Sequence, residues 1–342
     1  MKASRASAHI YSIVFISISL AACFGGGGGN GRSSNSTLTG LQTLSPNSRY
    51  QLENTQIQEG QSFTSDRGTI IDIDTDSTIS TTTTLTFITN ADSGIAGLSF
   101  TTPAGSISDI SQRQLRSWIT GNPVTDENNA WLQNSDVLLF NSVQRIGTSE
   151  RSVPRSIVGI SNSLELGHDY QTYGVWTEFE TLSSGQSGKF SAGLVTQQDA
   201  IPTAGSATYT GTVIGDYVGD ATTASNINDG DHYTATADMT TVADFDNSNI
   251  AFTTTNTELS ADFENVLSTP ELDLSGDLTL SPTTNQFSGT INNSAAGGDL
   301  TGDATGRFYG PTAEELGGTF SLSDGSAGPI PETYTGAFGG KR

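Results

Sequence analysis

Apolar residues recur at every second position along much of this chain, and threonine and glycine occupy many of the positions between them. Alternation with a period of two is typical of half-buried β-strands, whereas helices repeat every three or four residues. The pattern is clearest after residue 200. One face of the segment 206–218 carries Tyr209, Val213 and Tyr217, and Leu272, Leu274, Leu278 and Leu280 alternate with polar residues. We therefore predict an all-β protein.

Turn-forming clusters separate eight or nine such runs between residue 203 and the last residue, which indicates an antiparallel meander. The first and last runs share the triplet Tyr-Thr-Gly, at residues 209–211 and 334–336. A closed barrel would place those two strands side by side, and glycines within strands allow the bending that closure needs. We predict an eight-stranded antiparallel β-barrel whose interior is filled by side chains. The barrel domain is predicted to comprise residues 201–342.

Residues 41–200 are less regular and are predicted to form a separate β-rich domain. Strands are expected at 69–73, 78–89, 95–101, 136–145, 155–161, 170–180 and 188–196. One helix is expected from Ile107 to Ile119, where the apolar residues mostly share one helical face and Gly121 would end it.

The N-terminus predicts a lipid anchor. A short cationic stretch, an apolar segment from Ile10 to Leu20 and two alanines precede Cys23, the only cysteine. This arrangement resembles the lipobox of bacterial lipoproteins, in which residues 1–22 are a signal peptide and the cysteine is acylated. Several acyl chains would hold the protein on a membrane, and Phe24 in the next position favours the outer membrane. The alternative is a plain secretory signal with an incidental cysteine.

Residues 23–40 are predicted to be a tether, because glycine, serine and asparagine dominate the stretch after Phe24. No later segment is apolar enough for a transmembrane helix. The folded part is therefore expected to begin at about Leu41 and to stand away from the membrane.

Charge excludes some functions and suggests one surface. The chain has 14 Lys and Arg against 36 Asp and Glu, so binding to nucleic acid is not expected. Beyond Ile201 the basic residues are few, whereas arginines concentrate in the preceding domain. This set would suit an acidic partner protein, although an ordinary solvated face is the alternative: Arg113, Arg116, Arg145, Arg151 and Arg155.

Neither an enzyme nor a resident cofactor is predicted. Only His168 and His232 would remain after processing, and no Gly-x-Ser-x-Gly motif accompanies them. We expect His168 in a loop and His232 at the start of a strand, with haem as a possible ligand rather than a cofactor. The run Asp72–Asp76 begins like a calcium loop, but Ser77 replaces the glycine such loops need. No metal site is predicted, and the run is expected to be a strand.

Two C-terminal segments resemble a known family. They are Arg-Phe-Tyr-Gly-Pro-Thr-Ala-Glu-Glu-Leu-Gly-Gly-Thr-Phe at residues 307–320 and Tyr-Thr-Gly-Ala-Phe-Gly-Gly-Lys-Arg at 334–342. Both are similar to the end of the β-barrel of transferrin-binding protein B, and residues 202–211 are similar to its beginning. The segment 173–176 more weakly resembles the "handle" region that precedes that barrel. Thr312 and Glu315 are also spaced as a capping box, so one helical turn ending at Gly317 is predicted.

The resemblance implies a handle-like domain followed by one barrel, whereas full transferrin-binding protein B has two such lobes. It implies a surface lipoprotein of the outer membrane, facing outward, that binds a host or environmental protein, an iron carrier or haem, or that has a TonB-dependent receptor as its partner. The alternative is a structural or adhesive coat lipoprotein without a dedicated ligand. In either case specificity is expected in the loops rather than in the fold.

Overall fold

The computed structural model describes the backbone of most of the chain beyond Ser34. The described residues are 35–36, 40–41, 45, 47–66, 69–74, 80–89, 95–101, 106–111, 137–145, 152–161, 163, 166–179, 184–219, 231–260, 266–293, 300–326 and 331–342. Within these residues nearly every element is a strand, with single 3₁₀ turns at Gln198–Ala200 and Pro270–Leu272. The all-β prediction is confirmed.

Ten strands form an N-terminal sheet. They are β1 (Asn35–Ser36), β2 (Arg49–Asp66), β3 (Thr69–Asp74), β4 (Ser80–Thr89), β5 (Ile95–Thr101), β6 (Ser106–Ser111), β7 (Val137–Arg145), β8 (Ser152–Ser161), β9 (Gln171–Phe179) and β10 (Ser184–Gly193). The long strand β2 pairs with β4 through its first half and with β10 through its second half. The path of paired strands from β4 to β10 therefore returns to β2.

The N-terminal sheet encloses its own apolar core. Tyr50 stacks on Phe87 with ring centroids 5.4 Å apart, and Phe100 lies 5.3 Å from Phe190. Trp176 is buried in the same cluster. These side chains come from β2, β4, β5, β9 and β10, so the core joins strands that are distant in sequence.

The remaining strands form the predicted barrel. They are β11 (Ser206–Gly219), β12 (Asp231–Asp244), β13 (Asn249–Ser260), β14 (Val266–Ser268), β15 (Leu274–Leu280), β16 (Phe287–Asn293), β17 (Thr301–Tyr309), β18 (Glu315–Ser323) and β19 (Thr333–Lys341). Consecutive strands pair along the barrel, with β13 paired to β15. The short β14 pairs only with the end of β13, at residues 258–260. Because β11 also pairs with β19, eight antiparallel strands close into a barrel.

Aromatic and aliphatic side chains fill the barrel. Phe252 and Phe338 lie 4.9 Å apart between ring centroids, and Phe320 meets the edge of Tyr334 at 5.0 Å. Residues of alternate positions, such as Val213 and Tyr217, point to this interior. The interior is a packed core, as expected for eight strands.

The predicted strands agree with the structure to within a few residues, but two expectations fail. Strand β2 was not predicted. Ile107 and Ile110 lie in strand β6 rather than in a helix, and β6 pairs with β5. The rest of the proposed helix lies outside the described residues.

Two further expectations concern the limits of the domains. Asn35 and Ser36, within the predicted tether, pair with the start of β2. Strand β11 begins just after the predicted boundary at Ile201, but both sheets belong to one compact unit, residues 34–342. A division into independent domains therefore stays a prediction.

Candidate functional site: the joint between the two sheets

Two of the arginines predicted to bind a partner, Arg145 and Arg155, lie on strands of the N-terminal sheet. Arg145 ends β7 and pairs with Ser152 of β8. Arg155 lies at an irregularity in β8, where Ser156 pairs with Ser142 and Pro154 with Val143. The backbones of these two arginines thus occupy neighbouring strands. Arg113, Arg116 and Arg151 lie outside the described residues, as does Cys23.

The structure brings together a different set of residues, at the contact between the N-terminal sheet and the barrel. On β11 the core residues Val213 and Tyr217 alternate with Ile214, Asp216 and Val218, which are buried on the opposite face. We call this contact the joint. It includes Asp169, Tyr170, Gln171, Tyr173, Lys189 and Ser191 on one side and Thr212, Asp216, Tyr309, Glu315, Gly317 and Gly339 on the other.

Glu315 holds one end of the joint. Its side chain begins β18 and is 3% exposed. Oε1 accepts the backbone N–H of Asp169 at 2.5 Å, and Oε2 accepts that of Tyr170 at 3.1 Å. Burial raises the pKa of Glu315 to about 7, against the opposite effect of these N–H donors. One carboxyl group therefore satisfies two backbone donors at the start of β9.

Lys189 occupies another part of the joint. It lies on β10, is completely buried, and its Nζ has no hydrogen-bond partner among the described residues. Burial lowers its pKa to about 7, although Asp216 of the barrel favours the charged form. Oδ1 of Asp216 lies 3.2 Å from Nε2 of His232, whose side chain is about one third exposed. A buried amine, a buried carboxylate and a partly exposed imidazole thus follow one another from the joint to the surface.

Tyr173 and Gln171 fit against glycines of the barrel. The Tyr173 hydroxyl lies 2.6 Å from Oγ1 of Thr212, and Nε2 of Gln171 donates to the carbonyl of Gly340 at 2.9 Å. A Cβ atom on Gly317 would overlap the Gln171 side chain, and one on Gly339 would overlap the Tyr173 ring. Glycine at these positions lets β9 lie directly on the barrel wall.

Part of the C-terminal segment that resembles the known family, residues 307–320, lies at the joint. The Tyr309 hydroxyl lies 2.6 Å from Oγ of Ser191, and the Gly310 carbonyl accepts Oγ1–H of Thr196 at 2.6 Å. Gly310 has φ +91°, and a side chain there would strike the Tyr170 ring. Together with Glu315, these residues attach the N-terminal sheet to the barrel.

The predicted helical turn at Thr312 is wrong. Residues 310–313 form a turn, and Glu315 and Gly317 lie in strand β18. The Thr312 N–H and hydroxyl both donate to Glu314, at 2.8 and 2.7 Å. The neighbouring Glu314 therefore closes the turn, and Glu315 is free to bind Asp169 and Tyr170.

His168 and His232 have different surroundings. His168 lies in the loop before β9, as predicted, and its ring centroid is 5.8 Å from that of Tyr173. Burial, followed by the charge of Lys341, lowers the pKa of His168 to about 4, so the imidazole is neutral at physiological pH. His232 lies near the start of β12, also as predicted.

Two other functional features are absent from the described part of the chain. No group of three or more His, Cys, Asp or Glu residues there is placed to hold a metal ion. No helix there has the length and apolar character needed to cross a membrane. Of the run Asp72–Asp76, the described part belongs to strand β3.

Residues 201–342 match the family model described as "C-lobe and N-lobe beta barrels of Tf-binding protein B". Curated proteins give no significant sequence match. Among solved structures, the chain resembles a transferrin-binding protein B from Haemophilus parasuis Hp5, with 17% identity and a TM-score of 0.38 over 83% of this chain and 60% of that one. It also resembles the isotype 1 protein from serogroup B Neisseria meningitidis, with 17% identity and a TM-score of 0.34 over 76% and 51% of the two chains.

A third structure, that of a surface lipoprotein, has 13% identity and a TM-score of 0.38, with 85% of this chain and 98% of that one covered. The chain thus spans about three fifths or less of the two transferrin-binding protein B structures named above. The closed eight-stranded barrel of residues 206–341 coincides with the segment that matches the family model. The C-terminal barrel, residues 201–342, thus matches the transferrin-binding protein B-like β-barrel family.

Proposed function

We propose that this protein is a non-enzymatic binding module on the outer membrane, held by a lipid on Cys23 and facing outward. Its ligand class is a host protein, an iron carrier or haem. The observation that supports the proposal most directly is the family match of the barrel, residues 201–342. The lipobox-like sequence before Cys23 supports the anchor.

The partner-binding surface is proposed to lie on the N-terminal sheet. The backbone places Arg145 and Arg155 on the neighbouring strands β7 and β8, and Arg151 lies between them in sequence. Arginine pairs with carboxylates in a planar, two-point geometry and is favoured at protein interfaces. The barrel, in contrast, has only three basic residues after Ile201: Arg307, Lys341 and Arg342. An acidic partner would therefore be directed away from the barrel and toward β7 and β8.

Charge reversal of the arginines tests this surface. In a pull-down with host serum proteins or haemoglobin, Arg145→Glu, Arg151→Glu and Arg155→Glu together should reduce capture by about tenfold or more, because each replaces an attraction by a repulsion. Added salt should weaken capture by the unaltered protein. Arg342→Glu is a matched control on the barrel and should leave capture nearly unchanged.

Three results would contradict parts of this proposal. Capture unaffected by both the triple variant and salt would move the binding surface to the barrel loops. Stronger loss in Arg342→Glu than in the triple variant would have the same meaning. Failure to capture any of these proteins, together with an unchanged haem spectrum on titration, would favour a coat lipoprotein without a dedicated ligand.

The anchor has a separate test. Cys23→Ser should move the protein from the membrane pellet to the soluble fraction and abolish labelling by a palmitate analogue, because the acylated thiol is missing. Replacement of a nearby serine, Ser33→Ala, is the control and should leave both readouts unchanged. Persistent labelling of Cys23→Ser would exclude acylation at this residue.

A further inference from the structure

The joint buries two ionisable side chains for which the proposed binding role has no use. Lys189 is completely buried, and its Nζ has no hydrogen-bond partner among the described residues. Glu315 is 3% exposed. The first comes from the N-terminal sheet and meets the barrel, whereas the second comes from the barrel and meets the N-terminal sheet. The groups that interact with the charged form of either side chain therefore belong to the opposite sheet or to the loop beside it.

The groups around Lys189 compensate its charge only partly. Asp216 on β11 is the acidic group whose charge favours protonation of Lys189. Oδ2 of Asp216 also has no hydrogen-bond partner among the described residues. His232 on β12 lies beyond it, 3.2 Å from Oδ1. On the adjacent strand β9, Val175 pairs with Lys189, and Tyr173 is the titratable residue on that same face. Since burial outweighs the effect of Asp216, the pKa of Lys189 is lowered to about 7.

The groups around Glu315 have a similar imbalance. Asp169 and Tyr170 donate backbone N–H groups to the carboxylate, but the carboxylate of Asp169 repels it. Lys341 is the paired residue on β19, and Tyr309 is the paired residue on β17. Glu314 precedes it on the chain. Burial is the largest effect and raises the pKa of Glu315 to about 7.

We propose that the joint is a proton-sensitive contact, tightened toward acid by proton uptake at Glu315 and toward alkali by proton release from Lys189, and weakest between these limits. The burial of both side chains at the joint supports this behaviour, because each is kept from water while the two sheets are packed together. Separation of the sheets would return both groups to water, where each regains its ordinary charge. Proton binding and sheet packing are therefore linked.

The direction of each effect follows from the number of bound protons. Between about pH 4.5 and 7, Glu315 binds a proton when folded and not when unfolded, so stability falls as pH rises. Between about pH 7 and 10.5, Lys189 is neutral when folded and protonated when unfolded, so stability rises with pH. Between about pH 4 and 6.5, His168 is neutral in the folded protein and protonated in the unfolded chain, so its contribution to stability rises with pH. This contribution opposes that of Glu315.

Because His168 masks part of the profile, the experiment compares variants with the unaltered full chain at each pH. Urea unfolding is followed for Glu315→Gln and Lys189→Met from about pH 5 to 10. The ratio of the unfolding constants, unaltered over Glu315→Gln, should increase at least about tenfold from pH 5 to 8. The same ratio for Lys189→Met should increase at least about tenfold as the pH falls from 10 to 7. Glu258→Gln, at an exposed position of β13, should give a ratio independent of pH.

Each variant tests the proposal independently, so failure of one to fold leaves the other. If Glu315→Gln does not fold, hydrogen exchange of the segment 168–173 in the unaltered chain replaces it. After correction for intrinsic exchange, protection there should fall between pH 5 and 8, relative to the barrel-core segment 336–339. Ratios that stay within threefold across pH for both variants, or unchanged protection in segment 168–173, would overturn the proposal.

Discussion

Replacement of Phe338 by alanine should lower the free energy of unfolding by about 3–5 kcal/mol. The ring is completely buried in the barrel and comes from the last strand, β19. It contacts Phe252 of β13 at 4.9 Å and Phe287 of β16 at 6.5 Å between centroids. Truncation removes contacts with two other walls of the barrel at once and leaves a cavity, since the closed sheet has little freedom to collapse around it.

The measurement is urea unfolding of the full chain, followed by circular dichroism. The midpoint should fall while the slope stays unchanged, which indicates lost stability rather than a changed denatured state. A pair of valines calibrates the result within the same barrel. Val213 is completely buried and Val242 is 39% exposed, so Val213→Ala should cost clearly more than Val242→Ala. A loss below about 1 kcal/mol for Phe338→Ala would mean that the interior is loosely packed.

The barrel was predictable because its pattern is local. Large apolar residues alternate with Thr, Ser and Asp in each strand, and this alternation alone assigns one face to the core. The shared Tyr-Thr-Gly triplets correctly predict that the first and last strands pair. The two triplets are not paired with each other, however, because each lies near the start of its strand and the strands are antiparallel. Gly211 pairs with Gly340, and Gly215 pairs with Gly336.

Strand β2 escaped prediction because its sequence is dominated by Gln, Ser, Thr and Glu and lacks a clear apolar alternation. Hydrogen bonds along both edges, with β4 on one side and β10 on the other, define the strand instead. The failed helix at Ile107 has a related cause. Its isoleucines fit one helical face, but pairing with β5 decides the structure, and pairing is not local.

The joint escaped prediction for a different reason, since its polar residues look like ordinary surface positions. Lys189 alternates with Phe190 in β10, as an outward-facing lysine would, yet it is completely buried and interacts with Asp216 of the barrel. Glu315 lies three residues after Thr312, so a local capping box was a reasonable interpretation. Its actual partners, Asp169 and Tyr170, are 146 and 145 residues away in sequence. The repeated glycines at Gly317 and Gly339 were the available signal, because a glycine within a strand often marks the close approach of another backbone or side chain.

Tyr173 provides the sharpest test of the joint, and Tyr173→Ala should lower the free energy of unfolding by about 3–5 kcal/mol. The side chain is completely buried, and its ring occupies the space that a Cβ atom on Gly339 would need. Its hydroxyl lies 2.6 Å from Oγ1 of Thr212. Truncation therefore leaves a cavity between the sheets and removes a hydrogen bond from the barrel wall.

The variant Tyr173→Phe separates these two contributions, because it keeps the ring and removes only the hydroxyl. Its cost should be about 0.5–1.5 kcal/mol, the usual net value of one hydrogen bond. Limited proteolysis then distinguishes the joint from general destabilisation. The connection between the sheets, residues 194–205, should be cut faster in Tyr173→Ala than in Phe190→Ala, whose equally buried ring belongs to the N-terminal core. Equal cutting in these two variants at equal stability would mean that Tyr173 contributes to the fold as a whole and does not hold the two sheets together.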